Sequence, residues 1–302
     1  MLLGQLANGV IIGAVYALIA LGFTLIFGLL DKLNFAHPEA FMFGGFAGVM
    51  AGVGAGSAAG PQAALWLGLP LAMAIGGMFG LLTELICFRK FKGEDGKITA
   101  ALSSVALGIV VVDLTQKVWG SEPVAIPFKS AFLESSLMLG GVRIPYLQIL
   151  ILVMTLLLMI GLHWLVSRTS FGRQVRAVAE SPVNAALFGV NVRMVTSLVF
   201  FVSSALAAGG GLLLALRHGL ATSDIGLTFG LKAIAIMAIG GIGDMRGAVV
   251  AGFIIGIAEA LTYEFGFGRL GEMTAWATMI LVLLFRPNGL FGQGLHSSEM
   301  RA

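Results

Sequence analysis

Residues 2–30 read LLGQLANGVIIGAVYALIALGFTLIFGLL, a run with no charged side chain anywhere in it. About 20 mostly apolar residues in helix suffice to cross a bilayer, so this run is long enough to span one. No basic stretch precedes it, and it far exceeds the roughly 7–15-residue apolar core of a signal peptide. No small-residue cleavage site separates it from the rest of the chain, so it is expected to stay in the mature protein as a span. It also lacks the period-two alternation of a membrane strand. Only helices and closed barrels satisfy their backbone hydrogen bonds in hydrocarbon, which leaves helix.

The remaining sequence extends this pattern. Of 302 residues, 58% are hydrophobic and 11% charged, with mean hydropathy +0.98. Soluble domains carry roughly 25% charged residues. Further apolar runs lie near 38–56, 63–88, 99–117, 146–166, 194–216, 247–262 and 272–286. A shorter piece, 231–242, stops at Gly243-Asp244-Met245-Arg246 and is either a short crossing or half of a broken helix. The predicted architecture is all-α, one polytopic transmembrane bundle over residues 1–302, with eight spans plus this short piece. The single cysteine, Cys87, excludes an intramolecular disulfide and a cysteine-based metal cluster. A net charge of +3 fits basic cytoplasmic loops rather than a nucleic-acid partner.

Basic residues orient the bundle. One set of loops, with the tail, holds Lys32, Arg89, Lys90, Lys92, Lys97, Arg168, Arg173, Arg176, Arg193, Arg246, Arg286 and Arg301. The opposite loops hold Lys117, Lys129, Arg143, Arg217 and Arg269, with Lys232 at a boundary. The positive-inside rule then predicts an outside N-terminus and a cytoplasmic C-terminus, and the parity requires 231–242 to cross. The outer segment 118–145 bears prolines and polar residues and reads as a surface cap or docking loop. Glycine occurs 43 times. Gly44, Gly48, Gly52 and Gly56 form one small-residue ridge, and Ala248, Gly252, Gly256 and Ala260 a second. Such ridges let helices approach closely in lipid.

The inner loop 167–193 carries the functional signal. Gly172 can end one helical element, and Arg173 and Arg176 can share a helix face. Ser181-Pro182 is a strong helix start, and Gly189 is placed to end that helix with positive φ. A short helix over about 182–188 is predicted, carrying Ala185, Ala186, Leu187 and Phe188. Such an element either enters a groove on a soluble partner or lies flat at the interface.

The pattern Gly172-Arg-x-x-Arg-Ala-x-x-x-x-Pro-x-x-Ala-x-x-x-Gly-Val-Asn191-Val resembles the cytoplasmic loop of permeases in ABC importers for branched-chain amino acids, of the LivH type. Other matching pieces are Asn8-Gly-x-x-x-Gly13, Gly22-Phe-Thr-Leu-Ile-Phe-Gly28, Leu33-Asn-Phe-Ala-His37, Gly240-Gly-Ile-Gly-Asp-Met-Arg-Gly247 and Leu284-Phe-Arg-Pro-Asn-Gly-Leu-Phe-Gly292. They cover nearly the whole chain in family order. The resemblance implies a bacterial inner-membrane permease that pairs with a second, related permease subunit. Two cytoplasmic ATPase subunits and a periplasmic substrate-binding protein complete the assembly. It makes Arg173, Arg176, Pro182, Ala185, Ala186, Leu187, Phe188, Gly189 and Asn191 the ATPase-coupling residues. One departure is Pro38, where the family usually has glycine after the histidine.

No nucleotide loop, His-Glu-x-x-His, cysteine pair or Gly-x-Ser-x-Gly occurs. No cofactor is therefore expected in this chain, ATP being bound by the partner subunits, and no enzyme activity of its own. Candidate path residues are Asn34, His37 and Glu39, placed at the inner side where the second span begins, with Gly240, Gly241 and Gly243. Glu84, Asp113 and Glu259 lie in or near apolar runs, where ionisable groups are costly, and helix capping, interfacial exposure or interhelical bonding is the simpler account of each. The rival readings are an ion-coupled secondary carrier, whose coordinating backbone 240–243 can supply, and an intramembrane enzyme.

Overall fold

The computed structural model describes residues 2–31, 33–55, 60–91, 95–125, 135–139 and 142–292. Lys32, Gly56, Lys92, Lys129 and Arg301 lie outside them. The described chain is almost wholly helical. Helices α1 (Leu2–Leu30), α2 (His37–Ala55), α3 (Gly60–Thr83) and α4 (Asp95–Trp119) come first, and α3 runs on into a π-helical turn, Glu84–Phe88. After short strands β1 (Val124–Ala125), β2 (Ser136–Leu139) and β3 (Val142–Pro145) come α5 (Tyr146–Arg168), α6 (Ser170–Glu180) and α7 (Pro182–Leu187). The chain continues through α8 (Val192–His218), β4 (Leu220–Ala221), α9 (Ile225–Gly240), α10 (Met245–Glu264) and α11 (Gly271–Phe285).

Six of these helices are long and apolar enough to cross a membrane, while α9 and α11 are shorter apolar helices. Among the six, α1 and α8 form the centre, each with 83% of its most apolar window buried, whereas α4 and α5 bury only 28% and lie at the periphery. Glycine explains how the centre closes. A Cβ on Gly44 would run into the Ala208 carbonyl oxygen on α8. One on Gly256 would collide with the backbone of Gly13 on α1. Gly44 and Gly48 of the first predicted ridge thus seat α2 on α8, and Gly252 and Gly256 of the second seat α10 on α1, where backbone contact replaces a hydrophobic driving force.

The loops sort to two ends as their charges suggested. At one end Asp31 pairs with Lys97 at 2.6 Å, Gly28 lies beside Gly243, and the tail donates from Leu290 N–H to Ile239 at 2.8 Å and from Phe291 N–H to Gly240 at 3.0 Å. At the other end β1 pairs with β4 and the Gln116 amide donates to Ser223 Oγ at 3.2 Å. Helix α9 runs between the two ends from Ile225, six positions before the piece predicted over 231–242, to Gly240. At ~1.5 Å per residue its 16 residues reach only about 24 Å, less than the roughly 30 Å of hydrocarbon.

The second span begins inside the bundle, not at its inner end. Phe35 N–H donates to Ser104 Oγ at 3.0 Å, and His37 packs against Gly22 and Ser203. At ~1.5 Å per residue, those levels lie about 13 Å along α4 from Asp95, about 12 Å along α1 from Leu30 and about 16 Å along α8 from Val192. Residues 33–36 carry the chain to that depth without helix. Non-helical backbone survives there only with its polar groups satisfied. Asn34 Oδ1 accepts from Ala36 N–H at 3.1 Å, and His37 and Glu39 N–H donate to the carbonyls of Asn34 and Ala36, each at 3.2 Å.

Candidate functional site

The segment 169–191 is a rigid double turn. Thr169 caps α6 by accepting from Gly172 N–H at 3.2 Å. The break therefore falls at Thr169, and Gly172 sits in the first turn of α6 rather than ending a helix. A Cβ there would overlap the Val166 carbonyl oxygen, so only glycine lets α6 fold back on α5. Ser181 caps α7 by accepting from Asn184 N–H at 3.2 Å, with Pro182 at the first helical position. Gly189 takes φ +82° while Val190 N–H closes on the Ala185 carbonyl at 3.0 Å. Asn191 then caps α8 through Met194 N–H at 3.1 Å.

This frame decides which residues face outward. Ala185 packs inward at 3% exposure, while Leu187 and Phe188 stand 81% and 89% exposed. Ala186, Gly189 and Arg173 are also exposed, and Arg176 donates to the Val166 carbonyl. The tip of this element is thus apolar, and Arg173 is exposed in the first turn of α6.

The path candidates fall in two places. Asn34, His37 and Glu39 form a buried group at mid-depth, and Asn34 Nδ2 and Glu39 Oε2 have no hydrogen-bond partner among the described residues. Gly240 packs against the backbone of Gly247, and Gly241 against Gly292. These two positions belong to a joint between α9, α10 and the tail. Gly243 lines a cavity of about 420 Å³ at the same end with Asp31 and Asp244.

The three intramembrane acids separate sharply. Asp113 pairs with Lys117 at 2.7 Å on an exposed helix face. Glu84, in the π turn, pairs with Arg89 at 2.6 Å and accepts from Ser197 Oγ at 3.1 Å, tying α3 to the start of α8. Glu259 lies deepest. It accepts from Tyr16 Oη at 2.7 Å and from Lys232 Nζ at 3.0 Å, and Lys232 Nζ also lies 3.2 Å from Tyr16 Oη. Lys232 further rests over the Tyr16 and Phe229 rings at 5.3 and 5.4 Å. Sequence reading leaves Tyr16 and Lys232 out of this group. The usable signal is a lysine inside the apolar stretch after Ile225, which must find an acid to be buried.

A helical bundle in which six of the described helices are long and apolar enough to cross a bilayer defines a multi-pass membrane protein. The family model described as "Branched-chain amino acid transport system / permease component" matches residues 5–285, and the chain belongs to that family. It is 33% identical over 297 residues to the high-affinity branched-chain amino acid permease protein BraD of Pseudomonas aeruginosa, covering 96% of each chain. It is 32% identical over 295 residues to LivH of Escherichia coli K12, again covering 96% of each. A probable LivH of Methanocaldococcus jannaschii is 29% identical over 303 residues, covering 95% of this chain and 91% of its own. Membership supports the permease subunit of an ABC importer over an ion-coupled carrier.

Proposed function

We propose that the chain carries branched-chain amino acids, or small amino acids of similar shape, through the bacterial inner membrane, driven by ATP that partner subunits bind and hydrolyse. The relatives' names support the substrate class. The observation that carries the coupling is the exposed Leu187–Phe188 tip, fixed by caps at Ser181 and Asn191 and by the closing turn at Gly189. An apolar tip of this kind gains by burial in a groove of a soluble ATPase, with Arg173 free to meet an acidic rim.

In this reading ATP closes two cytoplasmic ATPase subunits, and α7 carries that motion into α8, which it directly precedes. A second, related permease completes the channel, and a periplasmic binding protein delivers the solute. The N-terminus lies outside and the C-terminus in the cytoplasm. Asn34, His37 and Glu39, at mid-depth with unpartnered polar atoms, supply polar contacts along the path, while Gly240, Gly241 and Gly243 form the joint about which α9 and α10 move. The chain performs no catalysis and holds no cofactor.

The test is Ala186→Arg, and separately Gly189→Glu, in the assembled importer. Both positions are exposed; at Gly189 a Cβ would meet nothing within 4 Å, though its φ of +82° strains any side chain there, so Ala186→Arg is the cleaner of the two. Each variant is expected to reach the membrane and to lose uptake while the ATPase subunits still hydrolyse ATP. Wild-type coupled uptake in both would reject the coupling role of this element.

A further inference from the structure

The cavity above the buried ion pair has no assigned role. It encloses about 360 Å³ between α1, α8, α9 and α10 toward the end that carries β4, a size within the range of small-molecule sites. Its floor is Tyr16, Lys232 and Glu259, and its walls include Ile12, Leu214 and Phe229. Arg217 also lines it. The Nη1 atom of Arg217 is buried without a hydrogen-bond partner among the described residues, and Nη2 makes only a 3.4 Å contact with Asn8 Oδ1.

The charges do not balance. Glu259 neutralises Lys232 at 3.0 Å, which leaves the Arg217 guanidinium as the surplus charge of the cavity. A buried guanidinium donor with nothing to bind is costly, and a planar carboxylate is its best geometric match. Ile12, Leu214 and Phe229 give the walls an apolar part, which suits an aliphatic side chain on the ligand. Gln5 and Asn8 also line the cavity and carry amide oxygens that can accept from an ammonium group, Asn8 Oδ1 lying 3.4 Å from Arg217 Nη2.

We infer that this cavity is a stopping site for the transported amino acid, in which Arg217 binds the carboxylate and the aliphatic side chain packs on Ile12, Leu214 and Phe229. The inference rests on the amino-acid importer reading and names where in the permease the solute pauses. The Lys232–Glu259 pair sets the floor without trapping the solute, because its charges already neutralise each other. Phe229 continues the route inward, stacking on Phe41 at 5.6 Å, two residues along α2 from Glu39.

The permease is tested in proteoliposomes together with its partner subunits. Thr228→Cys puts a thiol on the cavity rim, and the native chain is the blank because its only thiol, Cys87, is fully buried. An anionic methanethiosulfonate should react faster than a cationic one, roughly tenfold, since a charged cleft concentrates counter-ions by that order or more. Millimolar leucine should slow labelling, and leucinamide, which lacks the carboxylate, should not. Arg217→Gln in the same background should remove both effects. Equal rates for the two reagents, or equal protection by leucine and leucinamide, would overturn the site. ATP-driven uptake by the same vesicles separates the two levels. Intact uptake without carboxylate-specific protection sinks the site alone, and a lack of any ATP-driven uptake sinks the importer reading beneath it. His218→Cys, also on the rim, serves if Thr228→Cys does not assemble.

Discussion

Pro38 stands in the first turn of a helix that begins at mid-depth, where its missing N–H costs nothing because the first helical amides have no intrahelical acceptor. Its ring needs room, and α9 provides it. A Cβ on Gly230 would collide with Pro38 Cγ. Gly230→Ala should therefore cost about 1–3 kcal/mol by overpacking, read as a lower melting temperature in detergent. Adding Pro38→Gly should restore most of the loss, and an undiminished loss in the double variant would place the clash elsewhere. Single residues were partly legible in the sequence. Ser181-Pro182 and Gly189 announced α7 because caps and positive φ are local matters. Which face of α7 turns inward was not, since the burial of Ala185 depends on the fold of α6 against α5. Nor was Arg217, whose spare donor exists only once four helices enclose it.

At the scale of elements, the π turn at 84–88 acts as a fastening. The extra residue in that turn brings the Glu84 carboxylate within reach of both Arg89 and Ser197, so the inner end of α3 is held to α8 just beyond the coupling segment. Arg89 is the more exposed partner, with 34% of its side chain open against 4% for Glu84, and that same hydrogen bond to Glu84 holds its guanidinium above the ordinary value. Glu84→Ala removes acceptors from two donors and should destabilise by about 1–3 kcal/mol. Ser197→Ala removes one donor and should cost less. Thermal melts of the two variants in detergent check the order, and the reverse order would show that Ser197, not the carboxylate, makes the attachment. Span positions were legible here from apolar length alone. The start of α9 was not, because Gly226, Thr228 and Gly230 read as loop until Pro38 and Glu39 are seen to occupy the space that the two glycines leave.

For the whole molecule, the charge count and the fold agree on which loops share an end, and the charge count alone assigns one end to the cytoplasm. Single cysteines settle that. An impermeant maleimide should label Phe267→Cys in intact cells and label Phe188→Cys only after the membrane is opened, both native side chains being well exposed at 60% and 89%. The opposite pattern would invert the bundle and place the ATPase-coupling tip on the wrong side. The sequence made the all-α class and the parity plain, since both rest on composition and basic-residue counts. It placed Asn34, His37 and Glu39 at the inner end, because nothing in a linear string reveals that 33–36 climbs into the bundle. That depth emerges only from tertiary contacts with Ser104, Gly22 and Ser203.

The bonds from Leu290 and Phe291 to the last carbonyls of α9 bear on biogenesis. Helix ends leave carbonyls unanswered, and here the donors lie about fifty residues downstream, arriving after α10 and α11. During synthesis this end of α9 stays unfastened until residues 290 and 291 have emerged. The wall it contributes to the cavity is therefore secured at that end only after α10 and α11 have been made.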